Sequence, residues 1–236
     1  MLEEDATSAS TAAVTTDGLI TAVAVGRPTA ILTSPDVVMS GIVKRPIDGP
    51  VAVGLDNLAG DGQADLSVHG GRDKAIYVYS ADHYPAWQTE LGRELEPAQF
   101  GENLSVQGML ESDVLLGSRY RVGSAEVVIA QPRLPCFKLG IRMGDKHFPA
   151  RFLQSGRLGF YLRVEKTGVL ESGDCFELLE QPKDGISIDR LWRLTFVESC
   201  VGANCETVRR ALTELTHLDA GWQRRLRGRL RTGGCG

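Results

Sequence analysis

The sequence lacks the features that mark membrane proteins, secreted proteins and nucleic-acid-binding proteins. No apolar run approaches the roughly 20 residues that span a bilayer. Lys and Arg total 26 against 30 Asp and Glu, so there is no basic excess of the kind that binds nucleic acid. The five cysteines are odd in number and irregularly spaced, and a chain of 236 residues needs no disulfides to be stable. We therefore expect a soluble, cytoplasmic, globular protein without nucleic-acid or membrane partners.

Local motifs of several common enzyme classes are also missing. Cys200 and Cys205 have no second cysteine pair and the four histidines are scattered, so local spacing encodes neither a zinc site nor an iron–sulfur cluster. No Walker loop is present, and no G-x-G-x-x-G opens a helix, so a nucleotide-binding fold is not indicated. Ser-His-Asp catalysis has no G-x-S-x-G to support it.

After a short tail, the chain divides into a β-rich region and a helical region. Residues 1–17 are rich in Ala, Thr and Ser without a basic or apolar leader pattern, and we expect a disordered tail there rather than a signal peptide. Short apolar strands broken by glycine-rich turns then predict a mainly β, barrel-like domain over residues 18–182. The candidate strands are residues 19–25, 37–43, 51–55, 64–69, 75–79, 114–116, 119–122, 127–130, 160–164 and 176–179.

Helical periodicity predicts two helices within the barrel region and three after it. Tyr84, Trp87, Leu91 and Leu95 form one apolar stripe, and residues 148–154 fit a shorter helix. Residues 183–232 are expected to fold as a small C-terminal α-helical bundle of three amphipathic helices. The expected N-caps of these three helices are Ser187 or Asp189, then Asn204, then Asp219.

Cys136 carries the strongest chemical signal. It ends an apolar, strand-like run within QPRLPCFKL (residues 131–139), where two prolines fix the turn and Arg133 and Lys138 flank the sulfur. Nearby cations favour the thiolate, which is the reactive and metal-binding form of cysteine. The alternative is a small buried side chain, which is where most free cysteines lie. This segment by itself leaves both readings open.

A second candidate site follows the strand-like residues 65–68. Gly70 and Gly71 allow close backbone approach to a ligand, and Arg72 and Lys74 add positive charge beside His69. Such a turn is a plausible cradle for an anion. The alternative is a glycine-rich hairpin whose histidine is satisfied by its neighbours.

The sequences of five segments resemble the signature blocks of the MOSC domain, and more narrowly those of its YiiM-type branch. The resemblance covers about residues 30–180, and the trailing helical region also matches that branch. The combination of blocks is specific, whereas any one of them would be weak. The blocks are SGIVK (40–44), GDGQADL (60–66), VHGGRDKA (68–75), FGENL (100–104) and QPRLPCFKL (131–139).

The resemblance implies a barrel that binds the molybdenum cofactor, a molybdopterin-bound molybdenum. The cysteine matching Cys136 is the metal's thiolate ligand in this family, consistent with the preference of soft sulfur for such a metal. The turn from His69 to Lys74, with Arg133, would receive the pterin phosphate. Lys44, Asn103 and Lys138 are further expected cofactor-binding residues.

The implied activity is reduction of N-hydroxylated bases and related N-oxygenated compounds, a detoxification role. The sequence has no evident flavin, haem or iron–sulfur motif, so the electrons are expected from a separate reductase protein. The basic face of the third C-terminal helix, with Arg224, Arg225, Arg227, Arg229 and Arg231, is one candidate surface for that partner, and an ordinary solvated helix face is the alternative. Two alternatives stay open: a non-catalytic carrier that holds the cofactor or a persulfide on Cys136, and a scaffolding module.

Overall fold

The computed structural model describes residues 16–33, 36–65 and 70–234. His69, Cys235 and most of the expected N-terminal tail lie outside the described residues. No helix in the described ranges is long and apolar enough to cross a membrane.

The strands of the described chain are β1 (Thr16–Val25), β2 (Thr29–Thr33), β3 (Asp36–Ser40), β4 (Arg45–Ile47), β5 (Val51–Val53), β6 (Ile76–Ser80), β7 (Leu104–Gln107), β8 (Arg119–Val122), β9 (Ala125–Pro132), β10 (Phe160–Lys166), β11 (Gly168–Leu170) and β12 (Cys175–Glu180). Seven of them close a β-barrel in the order β12-β8-β9-β10-β6-β7-β1, because β1 pairs back to β12, and β4 extends the sheet beside β1. All of these pairings are antiparallel except β6 with β7. β2 with β3, and β5 with β11, form separate two-stranded ribbons.

Alternation of apolar and polar residues explains which strand faces are buried. In β10, Phe160, Leu162 and Val164 point into the barrel, while the residues between them are only partly covered. β6 is buried at all five positions, which is expected for a strand covered on both faces. A fold that is mainly β with added helices is therefore confirmed.

The described chain contains six α-helices. The first three lie outside the barrel, and two of them begin with a proline in the first turn, where the missing backbone N–H costs nothing. Gly92 ends the first helix in the left-handed conformation that favours glycine, with φ 64°. The helices are α1 (Tyr84–Leu91), α2 (Phe137–Met143), α3 (Phe148–Ser155), α4 (Ile188–Phe196), α5 (Ala203–Glu214) and α6 (Ala220–Thr232).

The C-terminal helices share a hydrophobic core with the barrel. Leu191, Val208 and Leu226 belong to the same buried cluster as the barrel residues Ile129 and Phe176. We call this cluster the barrel core. Trp222 lies at the junction, and its indole N–H donates to the Pro132 carbonyl at 3.0 Å. The end of β9 is thereby tied directly to α6.

A second cluster of buried side chains lies on the other face of β6 and is rich in aromatic rings. Trp87 and Phe152 stack with ring centroids 5.8 Å apart and planes 9° apart. Phe100 and Phe148 stack at 6.1 Å with planes 4° apart. We call this the aromatic cluster; it consists of Tyr77, Tyr79, Trp87, Leu95, Phe100, Leu139, Met143, Phe148, Phe152, Leu158 and Trp192.

Several local predictions were wrong for identifiable reasons. Residues 114–116 form no strand but a turn with one isolated bridge from Leu115 to Ser187. Asn204 does not cap α5, because Gly202 holds that position and the Asn204 side chain instead contacts Arg190 and the loop before the helix. Ser187 and Asp219 do cap α4 and α6, accepting N–H bonds from Arg190 and Trp222.

Candidate functional site

Cys136 stands between β9 and α2, where the chain leaves the barrel. It is half-buried and is not in a disulfide. Phe137 after it is 60% exposed, so this turn lies at the surface rather than in the core. The sequence predicted a turn here, and the structure adds that α2 begins at the next residue. Two cavities meet at Cys136, because it lines both.

The first cavity collects most of the basic side chains expected at the site. Lys44, Lys74, Arg133 and Lys138 line it together with Cys136. We call it the cationic cavity, and its volume is about 90 Å³. The other lining residues are Ser40, Gly41, Ile42, Asp61, Gly62, Gln63, Ala64, Tyr77, Gly101, Asn103, Leu134 and Tyr161. Residues separated by more than 90 positions in sequence thus share one small space.

Asp61 organises one wall of the cationic cavity. Its carboxylate accepts hydrogen bonds from the Gly26 N–H at 2.9 Å, from the Asn103 amide at 2.9 Å and from the Lys44 ammonium. Burial lowers the pKa of Lys44, and the charge of Asp61 opposes that shift. Because an ion pair this deeply buried is costly to break, Asp61 fixes both Lys44 and Asn103 in place.

Asn103 has a structural role as well as a place in the cavity lining. Its carbonyl oxygen accepts the Tyr77 N–H at 3.1 Å, and its amide also donates to the Ala24 carbonyl at 3.2 Å. These bonds link β1, β6 and the start of β7. The amide therefore orients the strands around the cavity.

Arg133 is a buried, pre-positioned cation. Its guanidinium donates to the Phe100 carbonyl at 2.8 Å and to the Tyr77 hydroxyl at 3.2 Å, and it lies 4.6 Å from the centroid of the Tyr77 ring. Burial opposes its charge, but Tyr77, Tyr161 and Cys136 outweigh burial, so the pKa of Arg133 is raised. A charged guanidinium therefore stays beside the sulfur at every physiological pH.

Tyr161 lines both cavities together with Cys136. Its ring packs 5.3 Å from the ring of Tyr77. Burial raises the pKa of Tyr161, against the opposing charge of Arg133. The phenol is therefore protonated at neutral pH and able to donate a hydrogen bond.

The turn at residues 70–74, which we call the glycine turn, contributes one side chain to the site. Lys74 lines both cavities and pairs with Asp219 at 2.7 Å. Gly70, Gly71 and Arg72 do not line either cavity, and Arg72 is exposed. Their assignment to the cofactor stays a prediction, as does that of His69, which lies outside the described residues.

Asp73, in the same turn, has partners outside the two cavities. It pairs with Arg163 at 2.8 Å and with His217 at 3.1 Å, which ties the glycine turn to the loop before α6.

Sequence reasoning missed Asp61 and Tyr161 as site residues. Asp61 lies in a Gly-Asp-Gly stretch that reads as an ordinary turn, although it belongs to one of the family-like blocks. Tyr161 lies in an alternating strand, where nothing local separates a cavity residue from a packing residue. Strand pairing brings Tyr161 opposite Gln131, close to the turn at residues 133–136, which we call the cysteine turn. Sequence spacing does not reveal this contact.

The donor set fits a metal that arrives with its own chelating ligand. Among the described residues, no group of three or more His, Cys, Asp or Glu side chains could hold a metal ion. Cys136 instead offers a single soft ligand, surrounded by cations suited to a phosphate. This arrangement is compatible with a molybdenum held by the dithiolene of a phosphorylated pterin.

Comparisons with known proteins agree with the resemblance noted above. A model of the MOSC domain family matches residues 65–177. The uncharacterized protein YflK of Bacillus subtilis is 39% identical over 198 residues, which cover 84% of this chain and 88% of YflK. The crystal structure of YiiM from Geobacillus stearothermophilus has a TM-score of 0.73 and 32% identity, covering 90% of this chain and 99% of that chain. A protein of Gibberella moniliformis named reductase is 37% identical over 149 residues, which cover 61% of this chain and 26% of that protein.

Proposed function

The chain belongs to the MOSC domain family and to its YiiM-type branch, and from this premise we propose that it binds a molybdenum cofactor and reduces N-hydroxylated bases and related N-oxygenated compounds. Family membership supports a function related to the molybdenum cofactor. The observation that supports the reductase activity is a half-buried thiol beside a protonated phenol and a cavity lined by four basic side chains.

Cys136 would supply the thiolate ligand, and the cationic cavity would hold the anionic part of the cofactor. Arg133 and Lys74 would contribute charge, while Asp61 keeps Lys44 and Asn103 in position. When bound, the molybdenum cofactor supplies two-electron oxygen-atom-transfer chemistry.

The net reaction converts a hydroxylamine to an amine and water. The N–O bond breaks, two electrons come from a separate reductase protein, and two protons complete the products. Tyr161 would hold the oxygen of the N-hydroxyl group through a hydrogen bond, since its hydroxyl stays protonated and shares the cavity wall with Cys136.

The electron donor would dock near the N-terminal half of α6. Arg224 and Arg225 line the second cavity, next to Cys136, and Arg227 lies one turn farther along the exposed face. Arg229 is different, because its guanidinium donates to the Leu194 and Glu198 carbonyls and holds the bundle together. An acidic partner surface would complement Arg224, Arg225 and Arg227.

Metal analysis of cysteine variants tests the cofactor assignment. The protein is purified after growth with ample molybdate, as wild type, Cys136→Ala and Cys175→Ala. Cys175 is a matched control because it is also half-buried and outside a disulfide but lines neither cavity. We expect molybdenum in the wild type and in Cys175→Ala, and its loss in Cys136→Ala. Equal metal contents in all three would contradict the ligand assignment.

Turnover tests the reductase assignment separately. The metal-loaded wild type is given 6-N-hydroxylaminopurine and reduced methyl viologen as electron source, and formation of adenine is measured. We expect adenine from the wild type and from Cys175→Ala. A loaded protein that makes no adenine would be a carrier rather than a reductase.

A further inference from the structure

The second cavity beside Cys136 lies between the cysteine turn and α6. Its volume is about 400 Å³, within the range of about 300–1,000 Å³ typical of small-molecule sites. Leu134 and Pro135 line it from the cysteine turn, and the N-terminal part of α6 lines it with residues that include Arg224 and Arg225. We call it the helix-side cavity.

The helix-side cavity and the cationic cavity share a wall at the sulfur. Leu134, Cys136 and Tyr161 line both of them, as does Lys74. A molecule in the helix-side cavity would therefore reach the same sulfur as a cofactor held in the cationic cavity. The two ligands would approach Cys136 from different sides.

The helix-side cavity is basic. Three basic side chains line it, Lys74, Arg224 and Arg225, and Asp219 is the one carboxylate among the described residues of its wall. Asp219 pairs with Lys74 at 2.7 Å, so this carboxylate is already matched by a cation. The charges of the two arginines are therefore not balanced within the wall, and they attract an anion that enters the cavity.

The two arginines also have hydrogen-bond donors to offer such an anion. Both side chains are exposed, and Arg225 uses one N–H group for the Gly221 carbonyl at 3.1 Å. A guanidinium carries five N–H donors, so others remain for a ligand. The planar fork of arginine matches a phosphate through paired hydrogen bonds and stays charged at every physiological pH.

The cofactor of the proposed function does not account for these arginines. Its pterin carries one phosphate, and the cationic cavity already offers that phosphate four basic side chains. A single phosphate cannot lie in both cavities. Arg224 and Arg225 therefore fit an anionic group on a second molecule, and the molecule that has to reach Cys136 besides the cofactor is the substrate.

We propose that the helix-side cavity binds the phosphate monoester of a nucleotide substrate. Arg224 and Arg225 hold the phosphate, and the N-hydroxylated base points toward Cys136. This inference rests on the proposed function for the base, and it adds a charged group by which the protein distinguishes a nucleotide from a nucleoside or a free base.

Binding of an unreactive nucleotide tests the phosphate subsite. AMP carries the phosphate but no N-hydroxyl group, and adenosine carries neither. Calorimetry measures Kd for both with the molybdenum-loaded protein, as wild type, Arg224→Gln/Arg225→Gln and Arg193→Gln/Arg209→Gln. The last variant is a matched control, because it removes the same charge from exposed positions of α4 and α5 that line neither cavity.

We expect the wild type to bind AMP about tenfold or more tightly than adenosine, a difference equivalent to about 1.4 kcal/mol. Arg224→Gln/Arg225→Gln should lose this preference at unchanged molybdenum content, and the control variant should keep it. Asp219→Asn should tighten AMP binding, because it removes the negative charge of the cavity wall and keeps a good N-cap for α6.

Turnover links the subsite to the proposed reaction. The N-hydroxylated form of AMP, two reduced methyl viologen molecules and two protons would give AMP and water, as the same reagents give adenine from 6-N-hydroxylaminopurine. Methyl viologen needs no docking surface, so any contact of these arginines with a protein donor does not enter the assay. We expect a higher kcat/KM for the nucleotide in the wild type and the control, and equal values for the two substrates in Arg224→Gln/Arg225→Gln.

The other outcomes are decisive. Equal Kd values for AMP and adenosine in the wild type, equal losses in both double variants, or no tightening in Asp219→Asn would overturn the subsite. Loss of molybdenum in Arg224→Gln/Arg225→Gln alone would overturn it by assigning the arginines to the phosphate of the cofactor. Reduction without preference for the nucleotide would remove the subsite and leave the reductase. The expected AMP binding without any reduction would remove the reductase and leave the subsite.

Discussion

The barrel core and the aromatic cluster lie on opposite faces of β6 and support the site in different ways. The barrel core is largely aliphatic and continues into α4, α5 and α6, so it positions α6, which lines the second cavity beside Cys136. The aromatic cluster holds a buried cation, because Arg133 stacks on Tyr77 and lies 5.5 Å from the Phe152 ring. Aliphatic cores tolerate many repackings, whereas a buried guanidinium needs its rings and acceptors in one arrangement. The aromatic cluster should therefore be the more sensitive support of the cationic cavity.

The largest expected effect comes from removing one ring from each core. Phe152→Ala and Phe176→Ala each delete a fully buried phenyl ring, and each should cost about 3–5 kcal/mol of unfolding free energy. Phe152 contacts Arg133, while Phe176 packs against Tyr120 inside the barrel. Urea denaturation measures the loss of unfolding free energy, and molybdenum per folded protein measures how well the cationic cavity is preserved. We expect lower metal content in Phe152→Ala alone; equal contents would remove the distinction between the cores.

The buried pair of Lys44 and Asp61 should show nearly as large an effect. Asp61→Ala leaves a buried ammonium without its counterion and should cost about 3–5 kcal/mol. The double variant Lys44→Met/Asp61→Ala removes both charges, so it should be more stable than Asp61→Ala. Urea denaturation of the single and double variants gives the coupling energy. Additive losses would show that the pair is not coupled.

A smaller effect is expected at the link between α6 and the cysteine turn. Trp222→Phe keeps an aromatic ring but removes the hydrogen bond to the Pro132 carbonyl, which leaves a buried acceptor unpaired. The expected cost is about 1–3 kcal/mol. Thermal unfolding of the wild type and the variant measures that cost. An unchanged melting temperature would mean that packing holds α6 in place without this bond.

The smallest effect concerns pH. Burial opposes ionisation of Asp219, but the Lys74 ammonium and the Trp222 N–H prevail, so the pKa of Asp219 is lowered in the folded protein. Its stabilising contribution is therefore present above the unfolded pKa of about 3.9 and is lost as the pH falls through the folded pKa. Melting temperatures between pH 3 and 6 should converge for wild type and Asp219→Asn at the acid end. A constant difference would contradict this account.

The sequence predicted the barrel better than it predicted how the site is built. Alternating residues marked β8, β10 and β12, but the three-residue strands β4 and β11 are too short to show a period. The prolines around Cys136 indicated a turn but gave no sign of α2, which begins at Phe137. Residue chemistry alone marks Cys136 and Arg133, the family-like blocks add Lys44 and Asn103, and all four line one cavity. Asp61 reaches its partners from a loop and Tyr161 reaches the site through strand pairing, and spacing alone reveals neither contact.

The attachment of α6 to the cysteine turn has a consequence for biosynthesis. Lys44 and Cys136 leave the ribosome long before Ala220 and Trp222, yet both ends of the chain line the space around the sulfur. A nascent chain can therefore close its barrel while Cys136 is still uncovered on the side of the missing helix. Translation order leaves an interval in which the cofactor of the proposed function would have access from that side before α6 docks.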